Sequence, residues 1–276
     1  MFDIVRRPRV GFGLLVVLLL VVMALGAPWL APHDPLAQDL RNAFASPVWA
    51  GGQSEHLLGT DSLGRDLLSR IIYGARAALA VAFVAALFAG LLGTALGLAA
   101  GYYGRFADAA ISRMVDIWMS FPSVLLCIVL AAVLGAGLHT VAIAIIIIDW
   151  TRFCRVVRAE VLVQKSQDYV ASAVTIGLGP ARILLQEILP NVVPLLLTLF
   201  TLEMGIAIIV EAILSFVGLS SSNVPTWGGI IQEGRLYVNQ AWWVMAAPMV
   251  CIIVAVLGLN ALGDGLRDVV DPVKQR

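Results

Sequence analysis

The sequence predicts an all-α, polytopic membrane protein. Of its 276 residues, 60% are hydrophobic and only 13% are charged, which is about half the charged share of a typical soluble domain. Uncharged apolar runs recur along the chain, and lipid offers no partner for a free backbone amide, so each run is expected to cross the membrane as a helix. The net formal charge is zero, so the charge balance gives no indication of a nucleic acid partner.

The apolar runs predict six transmembrane helices. They lie at about 10–31, 77–101, 114–136, 138–150, 192–218 and 241–262. The fourth run is short, and a longer interpretation extends it to residue 157. The first run contains small residues near its end, as a cleaved signal peptide does, but its length of a full span favours a retained anchor.

The distribution of basic residues predicts the orientation. Six spans place both termini on one side of the membrane. If that side is the cytoplasm, 13 of the 18 Lys and Arg residues lie in cytoplasmic segments, as the positive-inside rule requires. The segment 32–75 is then external, and the loop at about 151–191 is cytoplasmic.

The external segment is expected to end in an amphipathic helix on the outer surface. Thr60 or Asp61 is a suitable cap, and apolar residues follow at helical spacing. The helix is predicted to lead directly into the second span.

The cytoplasmic loop contains the stretch DYVASAVTIGLGPARILLQEILPN at 168–191, which predicts a helix, a turn and a second helix. Gly177 and Gly179 permit a sharp turn, and Pro180 suits the first position of the next helix. Pro190 is expected to end that helix. The first helix is predicted to carry one apolar stripe, formed by Tyr169, Val170, Ala173, Val174 and Ile176. A short lever joined to two spans is suited to passing motion from a soluble motor into a membrane pore.

Two carboxylates lie within the fifth span. Glu203 and Glu211 are eight residues apart, which places them about 80° from each other around a helix. A carboxylate inside a membrane usually faces a pore or a partner. Both are therefore candidate pore-facing residues for a cationic or amine-bearing substrate, although hydrogen bonding to a neighbouring helix is an alternative for each.

Basic and aromatic residues flank the spans. Arg155 and Arg158 share a helix face, where they suit lipid phosphates or, alternatively, a soluble partner. Trp227, with Trp242 and Trp243, suits an aromatic belt at the outer interface.

The residue inventory predicts no catalytic, cofactor-binding or metal-binding site. The three Cys and three His residues are scattered along the chain, and there is neither a P-loop nor a serine elbow. An intramembrane enzyme needs a nucleophile with its base, or a metal pair, and the spans supply neither. A stand-alone secondary transporter is the other rival, but it needs inverted repeats or half-helices broken at the midplane, which are not evident.

The stretch 168–191 resembles the EAA loop of ABC importer permeases. It is closest to the pattern YVxAAxxxGxSxxRIxxxHxLPN of the peptide and nickel branch, with Gly179 in place of Ser and Glu187 in place of His. The matching residues are Tyr169, Val170, Ala173, Gly177, Arg182, Ile183, Leu189, Pro190 and Asn191.

Three more stretches resemble motifs of the same branch. They are HLLGTDSLGRDLLSRIIYGAR at 56–76, EAILSFVGL at 211–219 with PTWGGIIQEGR at 225–235, and LNALGDGLRDVVDP at 259–272. The chain thus resembles the C-type permease subunit of dipeptide, oligopeptide and nickel transporters.

This resemblance implies a type I ABC importer permease fold with a cytoplasmic coupling helix. It implies a tail and first transmembrane helix at 1–31, an external segment at 32–75, a permease domain at 76–264 with its coupling loop at about 168–190, and a cytoplasmic tail at 265–276. The residues implied in coupling to the ATPase are Tyr169, Ala173, Gly177, Arg182, Leu189 and Pro190. For Trp227 it implies an external re-entrant element instead of a belt.

The resemblance also implies the partners and the location. The chain is expected to pair with a homologous permease as a heterodimer in the bacterial cytoplasmic membrane, in contact with lipid. Two cytoplasmic ATPases, which hold ATP and Mg²⁺, and an external substrate-binding protein complete the assembly. The predicted cargo is a dipeptide or oligopeptide. Nickel is the alternative, although the spans lack the His, Cys or Met cluster that a bare nickel ion favours.

Overall fold

A computed structural model describes residues 8–52, 54–220 and 223–270, apart from the side chains of Pro8 and residues 268–270. Residues 1–7 of the predicted N-terminal segment and residues 271–276 of the predicted tail at 265–276 lie outside the described residues, as does Pro272 of the last motif. Within the described ranges the structure is helical, with one isolated bridge between Thr60 and Asp66. The predicted all-α fold class is confirmed.

The described residues form nine helices, joined mostly by short connections. Short 3-10 turns at Leu40–Asn42 and Val48–Ala50 interrupt the long connection after α1, and another at Arg235–Tyr237 follows α8. The helices are α1 Pro8–Leu30, α2 Leu67–Tyr103, α3 Arg105–Met119, α4 Ser123–Leu134, α5 Leu138–Lys165, α6 Asp168–Thr175, α7 Pro180–Phe216, α8 Trp227–Gly234 and α9 Trp242–Val270.

Four of these helices are long and apolar enough to cross a membrane, namely α1, α2, α7 and α9. The pair α3 and α4 qualifies as a fifth span if the two are counted together. Helix α5, which contains the predicted fourth span, carries Asp149, Arg152 and Arg155 along its middle. The structure thus supports four to five candidate spans, and the number six stays a prediction.

The predicted third span at 114–136 is not one helix. The chain bends by 84° between α3 and α4, at Ser120–Pro122. Proline lacks an N–H and disfavours the helical conformation of the residue before it, Phe121, so α3 ends at Met119 with Ser120 as its C-cap. Pro122 then caps α4 through its carbonyl, which accepts the N–H of Leu126 at 3.1 Å.

The predicted outer amphipathic helix and second span are a single helix. Helix α2 has 37 residues and is about 55 Å long. Its cap is neither Thr60 nor Asp61 but Asp66, whose side chain accepts the N–H of Ser69. The first turns are buried, including Leu67 and Ile71, so the expectation of a surface helix is wrong.

Helix α2 defines two ends of the molecule. The loop end lies at Leu67, where the segment 32–66 and α8 pack. The coupling end lies at Tyr103, near the end of α5 and the segment 168–190. Between them α2 packs along α5, through glycines that let the two backbones approach closely. A Cβ on Gly93 would lie 2.3 Å from the carbonyl oxygen of Trp150.

The remaining helices complete one apolar core. Helix α9 packs against α1 and α7, and α8 packs against α9 and α7. The largest core cluster draws its buried residues from α1, α2, α4, α5, α7, α8 and α9. Outward-facing apolar residues such as Leu18, Phe88 and Val250 are exposed in the single chain, which suits a surface covered by lipid or another membrane protein.

Candidate functional site

The coupling end is built around a tight turn after α6. The N–H of Leu178 donates to the carbonyl of Ala173 at 3.1 Å, and that of Gly177 donates to Val174 at 3.0 Å. These two bonds form a Schellman motif, in which the residue after the cap takes the left-handed conformation. Gly177 has φ +83°, so its predicted role as the turn residue is confirmed. Gly179 has an ordinary φ of −70°.

The second half of the turn differs from the prediction at its far end. Pro180 does open the next helix, but Pro190 does not end it. A six-residue π-helical segment at Ile183–Ile188 precedes Pro190, and the helix continues to Phe216. A wider π turn absorbs the disruption that proline causes in a regular α-helix. Asn191 Nδ2 also donates to the carbonyl of Glu187 at 2.7 Å.

An apolar cluster holds the segment 168–190 rigidly against the helices. The buried side chains of Val170, Ala173, Ile183 and Ile188 share this cluster with residues of α2 and α5. The contributing residues of those helices are Leu98, Val157 and Val161. The segment is therefore packed against α2 and α5, and it is continuous with α7.

A polar contact reinforces this attachment. The Tyr169 hydroxyl donates to Gln164 Oε1 at 2.6 Å, and Asn191 Nδ2 donates to the same hydroxyl at 3.3 Å. Burial is the main cause that raises the pKa of the Tyr169 phenol, so the phenol stays protonated and keeps its donor. Tyr169 therefore links the end of α5 to Asn191 of α7 across the turn.

The six predicted coupling residues divide between an inner and an outer face. Tyr169 and Leu189 are half-buried and Ala173 is buried, so these three pack against the rest of the chain. The exposed residues are Gly177, Arg182 and Pro190.

The predicted single apolar stripe on α6 is wrong, because its residues point both ways. Val170 and Ala173 are buried, whereas Val174 is exposed and Ile176 at the turn is 76% exposed. Leu185 on α7 is 60% exposed, and the sequence interpretation missed it. Its signal is a large apolar residue in a stretch that also carries Arg182, Gln186 and Glu187. We call Val174, Ile176 and Leu185 the exposed apolar tip.

The arginines of α5 pair with carboxylates of α3. Arg158 makes a bidentate contact with Asp108, with Nη2 to Oδ2 at 2.7 Å, and Arg155 Nη2 lies 3.2 Å from Asp116 Oδ1. These pairs fix α3 beside α5, at the end where the coupling segment is attached. Arg158 is therefore engaged within the chain, not free for lipid phosphates.

The two candidate pore residues lie inside the single chain. Glu203 is buried, and its Oε2 lies 3.5 Å from Arg152 Nη1, while Arg152 Nε lies 3.8 Å from Asp149 Oδ1. Glu211 is also buried and accepts a hydrogen bond from the Ser215 hydroxyl at 2.6 Å. Each carboxylate thus has a partner within its own chain, and contact with a pore stays a prediction.

The loop end contains a buried ion-pair network. Arg65 donates to Asp61 at 2.7 Å and to Glu233 at 2.5 Å. Arg70 contacts the same two carboxylates and lies 2.7 Å from Glu233 Oε2. Asp61 and Glu233 therefore balance two buried guanidinium groups, as buried charges require.

Trp227 belongs to the same end and is 1% exposed. Its Nε1 donates to the carbonyl of Ile71 at 3.0 Å, and its ring lies against Gly74. The aromatic-belt interpretation of Trp227 is therefore wrong, whereas Trp242 is 53% exposed. Helix α8 is a packed element that joins α2 to α9.

A cavity of about 780 Å³ also opens at the loop end. Its lining includes Pro32 and His33 after α1, Tyr73 and Arg76 on α2, and Pro225 before α8. This volume is in the range of sites that hold small molecules.

Sequence comparison identifies the family. Residues 93–275 match the model described as binding-protein-dependent transport system inner membrane component. The chain belongs to this family. Residues 4–47 also match the N-terminal transmembrane domain of oligopeptide transport permease C. The predicted kinship with C-type permeases is confirmed.

Proteins from several bacteria are similar in sequence to this chain over most of its length. It is 41% identical over 262 residues to a di/tripeptide transport system permease protein of Pseudomonas aeruginosa, which covers 94% of this chain and 86% of that protein. It is 37% identical to a probable D,D-dipeptide transport system permease protein of Escherichia coli, over 93% of this chain and 85% of that one. A glutathione transport system permease protein of Pectobacterium atrosepticum is 40% identical, over 94% of this chain and 85% of that protein.

A solved structure confirms the fold. A chain of the MetNI methionine ABC transporter in an inward-facing conformation is similar with a TM-score of 0.61 at 20% identity, covering 74% of this chain and 97% of that chain. The protein therefore has the type I ABC importer permease fold. It is a multi-pass transport permease of the inner membrane, and its family function is transport, not catalysis.

Proposed function

We propose that the chain forms one half of the translocation pathway of an ABC importer for dipeptides or short oligopeptides. This cargo is supported by the names of the three relatives described above. These names mention dipeptides, di/tripeptides and glutathione, which is a tripeptide. Nickel is not favoured, because none of these names mentions a metal. A homologous permease supplies the other half of the pathway as a heterodimer. The candidate pathway residues of this chain remain Glu203 and Glu211. We expect them to line the pathway once the second permease completes it.

The segment 168–190 is the docking element for a cytoplasmic ATPase. The observation that carries this proposal is the exposed apolar tip on a segment whose other face is locked to three long helices. An apolar tip needs a partner to leave water, and its rigid attachment passes the partner's movement to the helices. ATP and Mg²⁺ are held by two such ATPase subunits, because the chain has no P-loop.

The transport cycle then has two states. Closure of the ATPases on ATP pulls the two coupling segments together, and the helices open to the outside. Hydrolysis releases them and the helices open to the cytoplasm. ATP and cargo each shift the equilibrium by their unequal affinity for the two states.

We further propose that the two ends of the molecule lie on the two sides of the membrane. The coupling end and both termini lie in the cytoplasm, in agreement with the excess of Lys and Arg in those segments. The loop end, with the segment 32–66 and α8, faces the external substrate-binding protein. Its cavity lies where cargo enters from that protein.

The docking is tested by copurification from the native membrane. The tagged chain is expected to bring down a second permease, ATPase subunits and a binding protein. Ile176→Asp places a charge in the exposed apolar tip and should reduce ATPase recovery at least tenfold at equal membrane abundance. Leu40→Asp is the matched control, because Leu40 is an exposed aliphatic residue at the loop end, and it should retain the ATPase. Equal ATPase recovery with both variants would contradict the docking proposal.

The cargo is tested by uptake in cells that lack the chain. Loss of labelled dipeptide uptake with unchanged nickel uptake is expected, and restoration by the plasmid-borne chain completes the assignment. ATP depletion with the proton gradient clamped should abolish uptake. Uptake that follows the proton gradient instead would favour a secondary transporter.

A further inference from the structure

Three potential metal ligands meet at the loop end, although they are far apart in sequence. His33 follows α1, His56 lies in the turn before α2, and Asp66 is the N-cap of α2. Their ligand atoms lie within 4.8 Å of one another. The expectation of no metal cluster rested on the scattered positions of these histidines, and the fold brings two of the three together.

The distances suit a metal ion. Asp66 Oδ1 forms a hydrogen bond with His56 Nδ1 at 3.0 Å and lies 3.8 Å from His33 Nδ1. In a tetrahedral zinc site with metal–ligand bonds of about 2.0–2.2 Å, neighbouring ligand atoms are about 3.3–3.6 Å apart. The two observed distances bracket that range, so small shifts of the side chains complete the geometry.

The first independent sign of a ligand is an unsatisfied atom. His33 Nδ1 is buried and has no hydrogen-bond partner among the described residues. Buried polar atoms are nearly always partnered, and an exception calls for an explanation such as a bound ion. The nearest carboxylate oxygen is Asp66 Oδ1, which is the atom that the ion would share.

The second sign is the way Asp66 is held. Its Oδ2 accepts both the N–H and the hydroxyl of Ser69, at 2.8 and 2.7 Å, which leaves Oδ1 directed at the two imidazoles. The same Ser69 hydroxyl accepts the backbone N–H of His33 at 3.0 Å. Outer partners of this kind orient the ligands of protein metal sites.

We propose that His33, His56 and Asp66 bind one divalent transition-metal ion of the zinc class, as a resident structural ion and not as cargo. Two imidazoles and one carboxylate favour zinc over the hard cations, which take oxygen ligands. The ion joins the segment after α1, the turn before α2 and the first turn of α2. It thereby fixes the fold of the loop end. The fourth coordination position is taken by water, from the cavity that His33 lines.

The experiment uses the full-length chain, purified in detergent with a tag that contains no histidine and stripped of metal with a chelator. The metal-free chain is titrated with Zn²⁺ and, in a parallel experiment, with Co²⁺ as the spectroscopic probe. Elemental analysis gives the number of metal ions bound per chain. One ion per chain and a visible Co²⁺ absorption band of four-coordinate intensity are expected. Zn²⁺ should also raise the midpoint of thermal unfolding.

The three histidines of the chain provide matched variants. His33→Asn and His56→Asn should each weaken Zn²⁺ binding at least tenfold, since even loss of an outer-shell partner costs 10–100-fold. His139→Asn removes the exposed histidine at the start of α5 and should bind as the parent does. His33→Asn is the main variant, because His33 Nδ1 has no hydrogen-bond partner among the described residues whose loss would disturb the loop end.

Three results would overturn the proposal. The first is a parent chain that binds no stoichiometric Zn²⁺ at micromolar concentrations, and the second is an affinity that His33→Asn and His56→Asn leave unchanged. A loss of binding shared equally by His139→Asn would likewise reject the site. The measurement involves no transport, so its failure is distinct from failure of the proposed function.

Discussion

Arg70 and Glu233 form an ion pair across 163 positions of sequence, with Nη1 2.7 Å from Oε2. The pair joins the first turns of α2 to α8, and the chain between them includes most of the helical bundle. Arg70 is 3% exposed, so its charge depends on these carboxylates for compensation. Two stretches that resemble separate family motifs, 56–76 and 225–235, are therefore one structural unit.

The first prediction concerns Asp61, which accepts four hydrogen bonds within this unit, two from backbone N–H groups and two from guanidinium groups. Asp61→Ala leaves buried Arg65 and Arg70 with only Glu233, and removing one member of a buried ionic network costs about 3–5 kcal/mol. A large drop in the thermal unfolding midpoint in detergent is expected. Asp34→Ala, at an exposed carboxylate of the same segment, should stay within about 0.5 kcal/mol of the parent. Equal midpoints for the two variants would show that the network contributes no stability.

The second prediction separates two tryptophans that follow each other closely in sequence. Trp227→Ala removes a fully buried ring and its hydrogen bond to Ile71, for a loss of about 3–5 kcal/mol in the free energy of unfolding. Trp242→Ala removes a half-exposed ring and should cost much less. Thermal unfolding measures both, and acrylamide quenching of the remaining fluorescence adds an independent check. Trp227 should be the less quenched of the two. If Trp242→Ala were less stable than Trp227→Ala, Trp227 would not be the residue on which the packing of α8 depends.

Local backbone structure was predictable from the sequence where it depends on residues that are neighbours along the chain. The turn at Gly177 and the helix start at Pro180 follow from the stereochemistry of glycine and proline, and both are present. Hydropathy likewise located α1, α2, α7 and α9. Pro190 shows the limit of the rule that proline ends a helix. The helix continues beyond Pro190 because a π-helical segment precedes it, and no local sequence pattern predicts that segment.

Long-range proximity was not predictable. His33 and His56 are separated by an irregular segment, whose path is set by tertiary contacts and not by periodicity. The same holds for exposure on the coupling segment, since Ala173 and Ile176 are both apolar and only packing against α2 and α5 decides that one is buried. The bend at Pro122 was missed because hydropathy averages across it.

The third prediction concerns the contact between α2 and α5. Gly93→Ala places a methyl group 2.3 Å from the carbonyl oxygen of Trp150, so the two backbones must separate. A Cβ on Gly90, one turn earlier, would approach only the ring of Phe153, at 3.3 Å, and a side chain can shift. Gly93→Ala should therefore lower the unfolding midpoint by several degrees and Gly90→Ala by clearly less, as measured in matched detergent. The reverse order would mean that α2 and α5 do not pack at this distance.

The fourth prediction tests the coupling segment through its two glycines. Both have open space where a Cβ would lie, so a substitution acts through the backbone alone. Gly177→Val forces a β-branched residue to φ +83°, a strain of about 1–3 kcal/mol, and the turn is expected to rearrange. Peptide uptake should fall at least tenfold while the chain still inserts, because Val174 and Ile176 of the exposed apolar tip move relative to α7 and Leu185.

Gly179→Val is the control for this experiment. Gly179 has φ −70° and ψ 154°, a conformation that valine adopts readily and that the following proline favours. The variant should retain uptake close to that of the parent at equal abundance in the membrane. Normal uptake with Gly177→Val would contradict a rigid turn as the means of coupling. Loss of uptake with both variants would instead indicate that the surface of the turn, and not its backbone geometry, contacts the ATPase.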